Sequence, residues 1–238
     1  MEKNKIPNHI YQMSTINALV SGLYDGYISL DKLLKKGDVG IGTFKDLDGE
    51  LTLLNGTFYR TRPDGTVYTC DKNESIPFAV VTEFKNYSNF EMKGCSSYEK
   101  IKEKLDSKIE SKNIFYAFKI EGTFEYVKTR TVVKQKKPYR PMAEVVKDQP
   151  IFEYKNTKGY IIGFRCPDYV EGLNVPGYHF HFISEDRKFG GHVIECSVKK
   201  ASVCFQDCFC FRMELPENES FYNMDIEDRS AEIHEVEN

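Results

Sequence analysis

The 238-residue chain lacks a strong excess of either charge, a long apolar run and a leader-like N-terminus. Its 33 Lys and Arg residues nearly balance 36 Asp and Glu residues, so the net charge is −3. A chain without a basic field is a poor candidate for nucleic-acid binding. No apolar run reaches the roughly 20 residues of a transmembrane helix. The polar segment Met1–Asn8 leads into no apolar secretory core. These absences predict a cytoplasmic protein that binds neither membrane nor nucleic acid.

A disulfide framework is also not expected. The seven cysteines are odd in number and scattered, which fits reduced thiols better than paired ones. Cys204, Cys208 and Cys210 are the closest group, but their spacing does not match that of known zinc sites. We interpret them as small apolar residues of the core, for which a hydrophobic content of 40% provides enough material.

Strand patterns outnumber helix patterns along the chain. Helical spacing predicts one helix within residues 11–24 and a second after Ser29, which is a suitable N-cap. A third should begin at Ser96, with Glu99 completing a capping box. Elsewhere the apolar residues alternate with period two, and Asp48-Gly49, Asn55-Gly56 and Asp64-Gly65 mark hairpin turns. Strand runs interrupted by few helices predict an α+β fold.

Three of the five histidines lie close together in the sequence. His179 and His181 are separated by one residue and flanked by aromatic residues, a pattern typical of a strand, in which alternate side chains share a face. The polar turn Ser184–Lys188 and the flexible pair Gly190–Gly191 then allow the chain to fold back. A hairpin would carry His192 back beside the first two imidazoles.

Three neutral imidazoles fill three positions of a metal site and leave at least one position open, as a catalytic metal requires. The alternative is that these are ordinary strand histidines. Two further interpretations stay open if a metal does bind. One is a cupin-like oxygenase or isomerase that uses iron or manganese. The other is a non-catalytic module in which the ion only staples the sheet, with a closed four-ligand site.

Two other charged residues stand out. Arg130 lies within a strand beside Val132 and Val133, where a cation should need an anionic partner. Glu50 directly follows an Asp-Gly turn, and the pattern alone favours a solvent-facing strand carboxylate there, because glutamate is rarely buried without a partner.

Several segments match a known family. They are Gly42-Thr-Phe, Leu47-Asp-Gly-Glu50, Asn55-Gly-Thr-Phe-Tyr, Lys128-Thr-Arg130-Thr-Val, Lys137-Pro-Tyr-Arg-Pro, Gly163-Phe-Arg-Cys-Pro, and Gly177-Tyr-His-Phe-His-Phe through Gly190-Gly-His192. On these segments the sequence resembles the α-acetolactate decarboxylase family over nearly its whole length. The resemblance implies a homodimeric zinc enzyme with two subdomains. Residues 1–125 would form an N-terminal mixed sheet with helices, where dimerisation is expected. Residues 126–238 would form a C-terminal antiparallel sheet or barrel that carries the metal.

The resemblance also implies a role for individual residues. The matched positions are His179, His181 and His192 for the zinc ligands, Glu50 and Arg130 for catalysis, Thr43 and Arg130 for substrate binding, and Glu237, with Glu235 as the alternative, for a C-terminal glutamate that reaches the metal. The implied reaction converts 2-acetolactate into acetoin and carbon dioxide through a zinc-bound enediolate. Mn²⁺ or Fe²⁺ is the alternative metal. Which glutamate delivers the proton stays open.

Overall fold

The computed structural model describes residues 8–85, 87–226 and 233. The strands are β1 (His9–Met13), β2 (Ile28–Ser29), β3 (Val39–Thr43), β4 (Glu50–Leu54), β5 (Thr57–Thr61), β6 (Val67–Thr69), β7 (Ser75–Ile76), β8 (Phe78–Thr82), β9 (Ser88–Cys95), β10 (Phe115–Arg130), β11 (Ile151–Cys166), β12 (Gly177–Ser184), β13 (Gly190–Cys208) and β14 (Cys210–Glu214). The helices are α1 (Ile16–Val20), α2 (Leu30–Leu34), α3 (Tyr98–Asp106), α4 (Met142–Val145) and α5 (Glu219–Asn223), with 3₁₀ turns at Lys45–Leu47, Val146–Asp148 and Asp168–Val170. Strands therefore dominate and helices are few, which confirms the α+β class.

The larger of the two main sheets has seven strands in the order β14-β1-β8-β3-β4-β5-β6. The pairing of β1 with β14 is parallel and the others are antiparallel, so this sheet is mixed. Asn55 and Gly56, which join β4 to β5, both have positive φ values, 49° and 78°. A two-residue hairpin turn requires this conformation, which explains why the Asn-Gly pair predicted the turn correctly.

The second main sheet has the order β10-β11-β12-β13-β9. All of its pairings are antiparallel, and β13 pairs with β10 as well as with β12, so that β10 to β13 form a closed ring of pairings. Gly191 lies at a close approach of two strands of this ring. Its φ is +134°, and an added Cβ atom would lie 2.5 Å from the Arg130 carbonyl oxygen, so the strands can approach here only with glycine at this position.

The predicted boundary between residues 125 and 126 lies inside β10. Strand β9 precedes the boundary but joins the five-stranded sheet, whereas β14 follows it and completes the seven-stranded sheet. The two sheets thus exchange strands across the boundary. The division into two subdomains stays a prediction.

Two helix predictions require correction. Residues 9–13 form β1, because their backbone pairs with β8 and β14, and only Ile16–Val20 is helical. Pairing with distant strands overrides the local helical spacing. Helix α3 begins one residue later than predicted, because the Ser97 side chain, rather than that of Ser96, accepts the capping hydrogen bond, from the Lys100 amide.

The apolar cluster between the two main sheets is the part of the core that borders the site. It includes Ile16 from α1, Phe78 from β8 and Met142 from α4, and it also includes Ile233, which is 2% exposed. Within the described ranges, no helix combines the length and the apolarity needed to cross a membrane.

Candidate metal centre

Strand register brings His181, His192 and Arg130 side by side. His181 on β12 lies directly opposite His192 on β13, and His192 lies directly opposite Arg130 on β10. Residues that lie opposite each other in an antiparallel ladder project their side chains to the same face. His179 joins them from two positions earlier on β12. The predicted histidine hairpin is therefore present.

The three imidazoles are spaced to hold one ion. Their ligand nitrogens all lie within 4.8 Å of one another, and the three residues are buried. His192 Nδ1 lies 3.2 Å from His179 Nε2. Two nitrogens bound to a tetrahedral ion at about 2.0–2.1 Å would lie about 3.3–3.4 Å apart. The observed spacing therefore fits two ligands of the same ion.

A backbone carbonyl from the facing sheet sets the orientation of His181. Its Nδ1 lies 2.8 Å from the carbonyl oxygen of Leu51 on β4. A carbonyl can only accept, so Nδ1 carries the proton and donates it, which leaves the Nε2 lone pair for a metal. Metal-binding histidines are usually held by a hydrogen bond of this kind.

Burial keeps at least two of the imidazoles uncharged. Desolvation, with a smaller contribution from the nearby positive charge of Arg130, lowers the pKa of His179 to about 3. Desolvation also holds the pKa of His181 well below 6.5, with smaller contributions from His179 and Arg130. Both rings are neutral at neutral pH, which is the form that binds a metal.

Glu50 and Thr43 reach the site from the seven-stranded sheet, where they lie opposite each other on β4 and β3. The Thr43 hydroxyl donates to the carbonyl of Gly49, at 2.9 Å. Glu50 is 7% exposed, and its Oε2 lies 3.7 Å from His181 Nε2. Because His181 is neutral, this approach is not a salt bridge. It places the carboxyl group beside a nitrogen that could bind a metal, so the solvent-facing interpretation of Glu50 is wrong.

Arg130 is buried and contacts an amide that the sequence did not reveal. It is 6% exposed, and its Nη1 donates to Gln149 Oε1 over 3.1 Å. Gln149 lies in the loop that precedes β11, where no periodic pattern marks it. No signal in the sequence could have paired it with Arg130.

These side chains surround one small cavity between the two sheets. The three histidines, Arg130, Glu50 and Thr43 form its polar side, and α1, β8, α4 and the segments around Leu47 and Val132 form its apolar side. The cavity has a volume of about 30 Å³. The cavity therefore suits a small, polar molecule with an apolar part.

The remaining candidate metal ligands are three cysteines and two C-terminal glutamates. Over the described part of the chain, the three histidines are the group found with the geometry to hold a metal. The interpretation of Cys204, Cys208 and Cys210 as core residues holds only for Cys208, because Cys204 is half-buried and Cys210 is exposed. Glu235 and Glu237 lie outside the described residues.

Comparison with known proteins gives one consistent family. The model of the family "Alpha-acetolactate decarboxylase" matches residues 10–228. A protein of that name from Methanosarcina mazei is 42% identical over 223 residues, which are 94% of this chain and 77% of the relative. Another, from Bacillus subtilis, is 40% identical over 226 residues, which are 95% and 89% of the two chains. An X-ray structure of the alpha-acetolactate decarboxylase from Bacillus subtilis strain 168 has a TM-score of 0.94, with 40% identity over 96% of this chain and 99% of that chain.

Proposed function

Because the chain belongs to the alpha-acetolactate decarboxylase family, we propose that it converts 2-acetolactate into acetoin and carbon dioxide in the cavity between its two sheets. One observation carries this proposal. Three buried imidazoles with convergent nitrogens share one cavity with an arginine and a glutamate. This set offers a metal position, a carboxylate-binding group and a carboxyl group that can move a proton. The arginine and glutamate around the three ligands support an enzyme rather than an ion that only staples the sheet.

We propose Zn²⁺ as the resident ion, bound by His179, His181 and His192. Three imidazole donors with this spacing suit zinc in a site with an open position, and Mn²⁺ or Fe²⁺ is the alternative. When bound, the ion would supply Lewis acidity where negative charge develops on the substrate oxygen atoms. The chain's own contribution is to hold the imidazoles neutral and oriented, as the Leu51 carbonyl does for His181.

The remaining polar groups can bind the substrate and move a proton. The Arg130 guanidinium can hold the substrate carboxylate through paired N–H donors. When the carbon–carbon bond to this carboxylate breaks, carbon dioxide leaves and the bonding electrons stay on the substrate. A glutamic acid then returns one proton to the carbon that lost the carboxylate, and delivery from one side gives one acetoin enantiomer. We propose Glu50 or Glu237 for this transfer. The apolar side of the cavity limits the access of water to that carbon.

Replacing Arg130 should test the carboxylate-binding role. Arg130→Lys keeps the charge but loses the planar fork, so kcat/KM for acetolactate should fall by about 10²-fold, with Arg130→Ala lower still. Zinc content and far-ultraviolet circular dichroism, measured on the same preparations, should be unchanged. If Arg130→Ala keeps the wild-type kcat and KM, Arg130 does not bind the substrate carboxylate.

A second prediction concerns the C-terminal glutamate. Ile233, which lies four residues before Glu237 in the sequence, is buried in the apolar cluster that also contains Met142 and Val146 of the cavity. Deleting residues 237–238 should leave the melting temperature nearly unchanged. It should lower turnover by about 10²-fold if Glu237 is a metal ligand or proton donor.

Two single substitutions decide whether Glu235 or Glu237 acts at the site. Glu237→Gln should reproduce the effect of the deletion, and Glu235→Gln should leave turnover unchanged. If Glu235→Gln alone is damaging, Glu235 takes the role. If the deletion variant is fully active, the proton must come from Glu50 or from water.

The overall function is tested by supplying racemic 2-acetolactate to the purified, zinc-loaded protein. Release of carbon dioxide and formation of a single acetoin enantiomer, followed by chiral chromatography, are expected. Absence of both products would overturn the proposal. A homodimer and a cytoplasmic location are further proposals, which rest on the family resemblance and on the composition.

A further inference from the structure

We propose that Gln149 positions the Arg130 guanidinium for the substrate carboxylate, an inference that rests on the proposed function. Arg130 lies at the end of β10, opposite Ile151 at the start of β11. Gln149 is separated from that start only by Pro150, and its Oε1 accepts the 3.1 Å hydrogen bond from Arg130 Nη1. Of these two side chains, Arg130 lines the cavity, so Gln149 acts on the site through the arginine.

The hydrogen bond to Gln149 holds the end of a long side chain and limits its rotation. A guanidinium carries five N–H donors on a long flexible stem. Fixing one Nη1 hydrogen sets the plane of the group, and with it the direction of the other donors. A fork that is already oriented loses less conformational entropy when it binds a carboxylate. Gln149 therefore prepares Arg130 before the substrate arrives.

The neutral charge of the Gln149 amide is part of the same argument. A carboxylate at this position would form an ion pair with Arg130 and would occupy donors that the substrate carboxylate needs. An amide holds the group in place without neutralising its charge. This distinguishes a positioning role from a structural one, because a structural role would be filled at least as well by glutamate, which has the same shape and binds arginine more strongly.

Gln149 is held by the segment that also forms part of the cavity wall. Its backbone amide donates to the carbonyl of Val146, at 3.2 Å. Val146 and Met142 both line the cavity. The orientation of Arg130 and the apolar wall beside it are thus set by the same short helical segment.

The test compares Gln149→Glu with the wild type, both loaded with zinc. We expect KM for acetolactate to rise by about 10- to 100-fold in the variant, while the melting temperature is kept or raised. Inhibition by acetoin should not change, because acetoin has no carboxylate for Arg130 to bind. Gln149→Ala should give a smaller rise in KM, since it removes the orientation without adding a competing charge.

Gln135→Glu is the matched control, because it makes the same chemical change on the connection between β10 and β11. Gln135 Oε1 accepts a 3.3 Å hydrogen bond from Nη2 of Arg140, not from Arg130. The KM of the Gln135→Glu variant should therefore match that of the wild type. Normal turnover by the wild type together with an unchanged KM in Gln149→Glu would overturn this inference alone. An equal loss of acetoin affinity would also overturn it, because the change would not be specific to the carboxylate. Absence of wild-type turnover would overturn both the inference and the proposed function.

Discussion

Removing the metal should abolish decarboxylation and leave the fold in place. The three imidazoles project from strands whose ladders and apolar clusters do not depend on an ion: β10 to β13 are hydrogen-bonded to one another along their lengths. A catalytic ion of this kind is needed for charge stabilisation rather than for folding. A chelator should therefore eliminate carbon dioxide release while the far-ultraviolet circular dichroism spectrum stays largely unchanged, and added zinc should restore activity.

Histidine substitutions provide the control for chelator side effects. His181→Gln removes a buried ligand nitrogen and should lower both zinc content and turnover. His9→Gln makes the same change at the start of β1, away from the cavity-lining residues, and should preserve both. Full activity in protein that elemental analysis shows to be free of metal would refute the metal-dependent mechanism. Loss of the circular dichroism signal on chelation would instead support a metal that only stabilises the folded sheet.

Glu50→Gln should retain zinc and the fold but lose about 10²- to 10⁴-fold in turnover, as expected for a general acid–base residue. The side chain is buried beside His181 Nε2, at 3.7 Å, and glutamine keeps its shape while removing the titratable proton. The rate should be measured as carbon dioxide release at saturating substrate. KM should change less than kcat, because the lost interaction acts on the proton-transfer step.

The matched control for this substitution is Glu121→Gln, on β10. Glu121 is exposed, and its carboxylate accepts from the Tyr160 hydroxyl at 3.2 Å, outside the site. Its turnover should equal that of the wild type. A near-normal rate in Glu50→Gln would leave Glu50 a structural role and would move the proton-donor assignment to Glu237 or to water.

The sequence indicated the three histidines that could hold a metal, because hairpin geometry is local. His179 and His181 alternate along one strand, and the glycines before His192 allow the return, so the spacing alone brings three imidazoles together. The family resemblance added Glu50, Arg130 and Thr43 as site residues, and the structure brings all three to the same cavity. The roles of the individual residues stay predictions until the variants are measured.

The burial of Glu50 could not be read from the local pattern. Alternation along β4 cannot show that a second sheet covers the strand, because both of its faces are buried. The solvent-facing interpretation failed for this reason. The wall formed by α4 was not predicted for a different reason, because this helix is too short to show a helical period.

The sequence by itself determined what depends on neighbours along the chain: the Asn55-Gly56 turn, the alternation of the strands and the histidine hairpin. Only the tertiary structure decided what depends on distant pairing. Residues 9–13 became a strand because β8 and β14 bind their backbone. His192 lies opposite Arg130 because β13 closes onto β10, and Gln149 reaches that arginine at the end of the β10–β11 ladder. Backbone hydrogen bonds between strands are specified by register over long separations, which no local residue pattern records.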